Sequence, residues 1–164
     1  MAQDLTDQTV FVAGASSGMG SATALAAARA GAHLVLLGRN RAALDETATS
    51  ARAEGGRTRI TTVIADASDA DTLAGAVSEI DLNTVDVLIN SVGTNLVERA
   101  FDQLTSASWA SMVQVNLMAA FNLCKLFVPP MRARGAGRWK RGRSRSLPLQ
   151  GSGVGLTSVQ VKRA

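Results

Sequence analysis

Three glycines recur near the start of the chain, in the segment Gly14-Ala15-Ser16-Ser17-Gly18-Met19-Gly20. The first permits a tight turn, the second lets the backbone approach a ligand, and the third lets a helix pack closely on a strand. An apolar segment, residues 9–13, precedes them, and an alanine-rich segment, residues 21–30, follows. A strand that turns through glycines into a helix directs backbone N–H groups at an anion. The pattern predicts a cradle for a dinucleotide's pyrophosphate, with these binding residues: Gly14, Ser16, Ser17, Gly18, Met19 and Gly20.

The elements that would position this cradle alternate along the chain. Strand-like apolar segments occupy residues 9–13, 32–37, 59–65 and 85–90, and segments of helical composition occupy residues 21–30, 41–54 and 69–80. Such alternation is typical of right-handed βαβ units on a parallel sheet. The sequence therefore predicts an α/β fold, a Rossmann-type doubly wound parallel sheet. We expect the strand order 3-2-1-4, with the sheet incomplete at its C-terminal side.

A longer helix is predicted for residues 106–128, where the chain meets Pro129 and Pro130, because the residue before a proline disfavours helical backbone. One amide, Asn116, interrupts an apolar stripe on this helix that consists of Trp109, Val113, Ala120, Leu123 and Phe127. A buried amide is costly unless it is hydrogen-bonded. Asn116 is therefore either satisfied by a neighbouring backbone group or part of the functional site.

Composition indicates one globular domain. The chain has 164 residues, of which 46% are hydrophobic. It does not begin with a basic segment followed by an apolar core, and no continuous apolar run approaches the roughly 18 residues that span a bilayer, so we expect neither a leader nor a membrane partner. Cys124 is the only cysteine and cannot form an internal disulfide, which fits a cytoplasmic location. We predict that it is a packed thiol rather than a nucleophile.

Charge divides the chain into two parts. Residues 1–131 carry 13 acidic and 8 basic side chains, whereas residues 132–164 carry 9 basic side chains and no acidic one. The segment from Trp139 to Arg145 is too basic for a buried parallel strand, because such strands are near-continuous apolar runs. We therefore predict a dinucleotide-binding domain at residues 1–138 and a basic, disordered tail at residues 139–164.

The residues after the second predicted strand indicate which dinucleotide is bound. In NAD sites a carboxylate about 20 residues beyond the glycines accepts a hydrogen bond from the ribose 2′-OH. Here that position reads Leu37-Gly38-Arg39-Asn40, and the next acidic residue is Asp45. A planar, permanently charged guanidinium suits a 2′-phosphate. Arg39 therefore favours NADP(H) over NAD(H), against the alternative that it is a solvated arginine after a strand.

Over about residues 6–138 these motifs together resemble the short-chain dehydrogenase/reductase family. The glycine spacing matches, and Asp66 is similar to the family's acid after the third strand, which contacts the adenine ring. Asn90-Ser91-Val92-Gly93 resembles the family's Asn-Asn-Ala-Gly segment, so the resemblance adds Asn90 and Gly93 to the cofactor site. Asn116 is similar to the family's helical catalytic Asn. Ala13 departs from the family's Thr, whose hydroxyl would help to tie the first strand to the Asn90 segment.

The resemblance implies NADP-linked interconversion of a carbonyl and an alcohol on a small-molecule substrate. The family's proton donor is the Tyr of a Tyr-x-x-x-Lys motif, and the 164 residues contain no Tyr. Ser158 and Lys162 have this spacing, but a serine hydroxyl is too weak an acid to replace a phenol. The family's upstream Ser is matched only by rough position, at Ser144, Ser146 and Ser152. We therefore expect cofactor binding with impaired catalysis, with Asn116 as the catalytic residue that the chain retains.

The origin and role of the tail stay open. A shift of the coding frame near codon 138, or a truncation, would explain why the resemblance stops there, and the other two reading frames of the DNA would decide this. Alternatively, the chain is a non-catalytic nucleotide-binding or polyanion-binding protein whose basic tail contacts phosphates. The tail has one aromatic residue, Trp139, and no recognisable nucleic-acid motif, so nucleic acid is not the expected partner. Family members often assemble through the helix that holds Asn116, which leaves a homo-oligomer open.

Overall fold

The structure, a computed structural model, describes residues 4–56, 58–96, 100–143 and 155–160. Its sheet has the strand order β3-β2-β1-β4-β5-β6, in which β1 to β5 run parallel and β6 runs antiparallel to β5. The strands are β1 (Thr9–Ala13), β2 (His33–Gly38), β3 (Ile60–Ile64), β4 (Val85–Asn90), β5 (Arg138–Arg143) and β6 (Gly155–Gln160). The helices are α1 (Gly18–Arg29), α2 (Arg41–Gly55), α3 (Ala70–Ala76), α4 (Ser106–Val113) and α5 (Ala119–Arg134). The predicted order 3-2-1-4 is confirmed.

Helices cover both faces of the sheet, as in a doubly wound fold. Successive residues of a strand point to opposite faces, so Phe11 of β1 packs on one side and Val10 on the other. The Phe11 side contains α3 and α5, and the ring of Phe11 lies 4.5 Å from that of Phe127. The Val10 side contains α1 and α2, whose alanines allow close approach to the strands. The predicted α/β class is confirmed.

The long helix departs from the prediction in two ways. A wide π-helical turn, Gln114–Met118, joins α4 to α5, and helix continues through Pro129 and Pro130 to Arg134. The prolines have no N–H, so two backbone hydrogen bonds of the helix are lost. Contacts with the sheet nevertheless hold the helical turn that follows the prolines. Met131 is fully buried, and the guanidinium of Arg134 donates to the carbonyl oxygen of Val85 at 2.6 Å.

The wide turn also breaks the predicted apolar stripe. Leu123 and Phe127 lie in the core, whereas the side chains of Trp109 and Val113 are 53% and 36% exposed. A π-helical turn accommodates an extra residue, which rotates the helix that follows it by about one residue position, or roughly 100°. Residues before and after the turn therefore do not share one face.

The helix from Ser106 to Arg134 is also long and apolar enough to cross a membrane, since the mean hydropathy of an 18-residue window is 1.4. The expectation concerned a continuous apolar run, which this helix does not contain, because its hydropathy is an average over a window that includes polar residues. One such helix is weak evidence of a membrane span, because core helices of globular proteins share these properties. Here the buried side chains of Leu123, Phe127 and Met131 pack against the sheet.

The start of the tail also departs from the prediction. Arg138–Arg143 forms a parallel strand beside β4, with Val87 opposite Arg138 and Asn90 opposite Arg141. The prediction considered side chains alone, whereas a sheet ladder is made by backbone N–H and C=O groups, which the edge of β4 offers regardless of the partner's sequence. The rest of the predicted tail, apart from β6, lies outside the described residues.

Candidate functional site

The glycine turn after β1 is shaped by close backbone contacts. Gly14 has a φ of +79°, and a Cβ atom there would lie 2.8 Å from the carbonyl carbon of Ser91. A Cβ atom on Gly20 would collide with the carbonyl group of Gly14. Gly18 has a φ of +56° and open space around the position of a Cβ atom. Two of the glycines are therefore required by packing, and the third leaves room above the turn.

The N-terminus of α1 meets this open space. The helix begins at Gly18 behind the N-cap Ser17, whose side chain accepts no capping hydrogen bond, and the first turn has no acidic residue. The first N–H groups of a helix lack partners within the helix and carry a partial positive charge. This end of α1 can therefore receive an anion such as a pyrophosphate.

A cavity of about 340 Å³ opens beside this helix end, at the carboxyl ends of the parallel strands. It lies at the point where the strand order reverses: β2 and β3 lie on one side of β1, and β4 lies on the other. This switch point is the usual ligand site of open α/β sheets. Six of the predicted residues line it: Gly14, Ser16, Ser17, Arg39, Asp66 and Gly93.

Arg39 and Asp66 form an ion pair at this cavity. Arg39 Nη1 donates to Asp66 Oδ2 at 3.4 Å, and the two side chains are 72% and 36% exposed. Asp66 Oδ1 accepts from the backbone N–H and the hydroxyl of Ser68 at 2.8 and 2.7 Å. Burial raises the pKa of Asp66, but the Ser68 hydrogen bonds and then the Arg39 charge outweigh it, so the pKa lies below its ordinary value. Asp66 is therefore ionised at neutral pH.

Two hydroxyl groups in the cavity wall have unused hydrogen-bonding capacity. Ser16 Oγ and Ser91 Oγ are buried and have no hydrogen-bond partner among the described residues. Buried polar atoms are normally paired. Both serines line the cavity, so rotation of either side chain toward it would let the hydroxyl bond a polar ligand. Gly38 lines the same wall, and a Cβ atom there would collide with Ser16 Oγ.

Asn90 lies behind the cavity and shapes its wall. Its side chain is 1% exposed, and Oδ1 accepts from the N–H of Val92 at 2.9 Å. Ser91 N–H in turn donates to the carbonyl oxygen of Ala13 at 2.9 Å. Asn90 Nδ2 is buried without a partner among the described residues. The Asn90 side chain thus turns the chain so that Ser91, Val92 and Gly93 face the cavity.

Asn116, in the wide turn of the long helix, bonds the chain just after Gly93. Its Oδ1 accepts from the N–H of Thr94 at 3.1 Å, and its Nδ2 donates to the carbonyl oxygens of Thr94 and Met112, each at 2.9 Å. The amide is thus satisfied by backbone groups, and its catalytic role stays a prediction. Its neighbour Val115 lines the cavity.

The same helix also fixes the loop after β3. Gln114 Nε2 donates to the carbonyl oxygen of Ser68 at 2.9 Å, and the buried Asn122 Nδ2 donates to that of Ala67 at 3.1 Å. Three amides spaced along one helix therefore hold the loops that follow two different strands. No sequence signal marked Gln114 or Asn122, because their partners are backbone groups far away along the chain.

Several predicted site residues do not line the cavity. Gly18, Met19 and Gly20 form the start of α1 beside it, and Asn90 and Asn116 support its walls. The structure adds lining residues that were not assigned to the site: Leu37, Gly38, Asn40, Ala43, Ala65, Ala67, Ser91, Val92 and Val115. The position of Asn40 before a helix could have been predicted from the sequence, because Asn is a preferred N-cap residue. Its side chain accepts from the N–H of Ala43 at the start of α2.

The thiol of Cys124 and the metal-ligating residue types are the other groups that could do chemistry. Burial raises the pKa of the Cys124 thiol, which keeps it protonated, as expected for a packed thiol. Within the described ranges, no three His, Cys, Asp or Glu residues are grouped so that they could hold a metal ion.

Comparison with known proteins identifies the family. A model of the short chain dehydrogenase family matches residues 8–139, which is most of the chain. The chain belongs to this family. The match agrees with the resemblance expected for about residues 6–138. Like other short-chain dehydrogenases, this one has a Rossmann-type sheet flanked by helices.

The relatives include enzymes with different named activities. The ketoacyl reductase HetN of Nostoc is 33% identical over 135 residues, which cover 82% of this chain and 46% of HetN. The galactitol 2-dehydrogenase of Cereibacter sphaeroides is 36% identical over 129 residues, 77% of this chain and 48% of that enzyme. The chain thus spans about half the length of the curated relatives that it matches.

A solved structure gives the same result for the fold. The L-sorbose reductase from Gluconobacter frateurii, in complex with NADPH and L-sorbose, superimposes with a TM-score of 0.75 and 30% sequence identity. The matched part covers 84% of this chain and 52% of that one. The similarity therefore concerns the strands and helices around the cavity described above.

Proposed function

We propose that this short-chain dehydrogenase binds NADP(H) in the cavity at the carboxyl ends of β1 to β4. The observation that carries the proposal is Arg39, whose guanidinium lies at the end of β2, where NAD sites carry an acid. The guanidinium is 72% exposed at the cavity and offers a fork that matches a phosphate. A relative of solved structure, the L-sorbose reductase, was obtained with NADPH, which supports this choice.

The residues around the cavity fit such a cofactor. The start of α1 and the open space at Gly18 would take the pyrophosphate, and Arg39 the 2′-phosphate. Asp66 would accept from the adenine, as the resemblance implies. The two buried hydroxyls, on Ser16 and Ser91, would then gain hydrogen-bond partners.

The proposed reaction class is the interconversion of a small-molecule carbonyl and an alcohol. The bound cofactor supplies or accepts the hydride in this reaction. Asn116 fixes Thr94, and so holds the loop that begins with Gly93 against the helix. A proton must also reach the alkoxide oxygen, and these 164 residues contain no tyrosine to donate it. We therefore propose a chain that binds NADP(H) and reduces carbonyl compounds negligibly.

A thermal-shift titration with NADPH and NADH tests the binding part of this proposal. Both cofactors should raise Tm, and NADPH should do so at lower concentration, because a ligand that binds only the folded state begins to stabilise it when its concentration exceeds its dissociation constant. No shift at saturating NADPH would overturn the proposed function.

Oxidation of NADPH by a panel of ketones and ketoses, followed by absorbance, tests the catalytic part. Sustained turnover by the purified chain would contradict the proposed impairment.

A further inference from the structure

Arg39 has a partner at the place where a cofactor phosphate would need it. Arg39 directly follows β2, and Asp66 lies two residues beyond β3, the neighbouring strand in the sheet. Their side chains meet at 3.4 Å, and both line the cavity. The cation proposed to select NADP(H) is therefore already paired with a carboxylate in the structure.

Hydrogen bonds from Ser68 hold the carboxylate of Asp66 in this position. Asp66 Oδ1 accepts two hydrogen bonds from Ser68, which leaves Oδ2 directed at Arg39. Gln114 and Asn122 in turn fix the carbonyl groups of Ser68 and Ala67. Asp66 is thus anchored by short bonds to its own loop, whereas Arg39 has a flexible side chain and a single longer bond.

We propose that Asp66 limits the preference for NADP(H) by competing with the cofactor's 2′-phosphate for Arg39. This inference rests on the proposed function, and it adds a second role to the adenine contact that the resemblance assigns to Asp66. NADPH must draw the guanidinium away from the carboxylate or share it, and NADH, which lacks the phosphate, leaves the pair intact. Two anions that share one guanidinium also repel each other.

The substitution Asp66→Asn separates these two roles. Asn has the same shape, and its carbonyl oxygen can still accept from Ser68, but its charge is lost and its amide N–H₂ group, in the place of Oδ2, cannot accept from an adenine amino group. Loss of the adenine contact should affect two probes that share the adenine equally, so the ratio of their affinities isolates the effect of the charge. Glu79→Gln serves as the control, because it removes one negative charge from an exposed position outside the cavity. The probes are 2′,5′-ADP and 5′-AMP, which differ by the 2′-phosphate alone and require no turnover.

Calorimetric titration should show that Asp66→Asn raises the affinity for 2′,5′-ADP relative to that for 5′-AMP about two- to fivefold, the range expected for an exposed ion pair. Glu79→Gln should leave this ratio unchanged. Equal changes for both probes, or a fall in the ratio, would overturn the competition. So would a control that raises the ratio as much as Asp66→Asn does.

A double-mutant cycle shows whether the effect passes through Arg39. In the Arg39→Ala background, Asp66→Asn should alter this ratio less than it does in the unmodified chain. A full effect in that background would mean that Asp66 repels the phosphate directly, and it would overturn the competition. A different result would overturn the proposed function itself, namely that the unmodified chain binds 2′,5′-ADP no more tightly than 5′-AMP.

Discussion

Asn116 bonds both backbone polar groups of Thr94, accepting from its N–H at 3.1 Å and donating to its carbonyl oxygen at 2.9 Å. The two residues are 22 positions apart, one in the wide turn of a helix and the other in the loop after β4. The pair fixes the loop that starts at Gly93, which lines the cavity. The wall of the cavity thus depends on an amide that does not itself line it.

Replacing this amide should loosen the loop. Asn116→Leu leaves Thr94 without its side-chain partner, but Thr94 is exposed and water can replace part of the loss, so we expect a cost of about 1 kcal/mol in the free energy of unfolding. NADPH affinity should fall with it. Urea denaturation and a titration with NADPH measure the two effects. Gln103→Ala, which removes an exposed amide that makes no side-chain hydrogen bond among the described residues, should stay within about 0.5 kcal/mol. Unchanged cofactor affinity in Asn116→Leu would contradict the proposed positioning.

Two glycine substitutions should have opposite effects on stability. Gly14→Ala forces a positive φ on an L-residue and places a Cβ atom 2.8 Å from the backbone of Ser91, so it should cost more than about 2 kcal/mol. Gly75→Ala, within α3 and in open space, should gain up to about 1 kcal/mol through helix propensity. Urea midpoints of both variants check this. A Gly14→Ala variant as stable as the unmodified chain would show that the turn has another conformation.

The wide helical turn predicts which leucines of the long helix matter. Leu123→Ala should cost about 2–5 kcal/mol, because the side chain is fully buried. Leu117→Ala, at a position that is 60% exposed, should change stability by less than about 0.5 kcal/mol. Chemical denaturation of the two variants provides the comparison. Similar losses in both would mean that the helix does not present these faces as described.

Acid should weaken the cap of α3. Hydrogen bonds from Thr72 and then from the N–H of Asp71 hold the pKa of Asp69 below its ordinary value, against desolvation and the charge of Asp66. A carboxyl with a lowered pKa in the folded state stabilises the fold above its unfolded pKa, about 3.9, and this stability is lost as pH falls through the folded pKa. Asp69→Asn can still cap the helix but does not titrate there. Between pH 5 and pH 2, its Tm should therefore fall less steeply than that of the unmodified chain. Parallel slopes would contradict the assignment.

Features that depend on backbone geometry could be predicted from the sequence. The glycine spacing indicated the turn after β1 because Gly14 and Gly20 occupy positions where no Cβ atom fits. The alternation of apolar and alanine-rich segments indicated the parallel order, because few topologies satisfy such a pattern. Asn116 was singled out as an amide in an apolar stripe, although its partner, Thr94, could not be foreseen.

Features that depend on long-range contacts could not be predicted from the sequence. The segment Gln114–Met118 contains no glycine or proline, so nothing marked it as a wide turn. The helix continues past Pro129 and Pro130 because Met131 and Arg134 are held by the sheet. The ion pair between Arg39 and Asp66 required the register of two neighbouring strands, which local patterns do not specify.

Arg39 is proposed to select NADP(H), and the ratio of the dissociation constants for NADH and NADPH is the measurement that checks this claim. The unmodified chain should bind NADPH more tightly, and Arg39→Ala should lose most of this preference while NADH affinity changes little. Arg52→Ala removes an equivalent charge from an exposed position on α2 outside the cavity, and it should keep the preference. A ratio that Arg39→Ala leaves unchanged, or an equal loss of affinity for both cofactors, would contradict the claim.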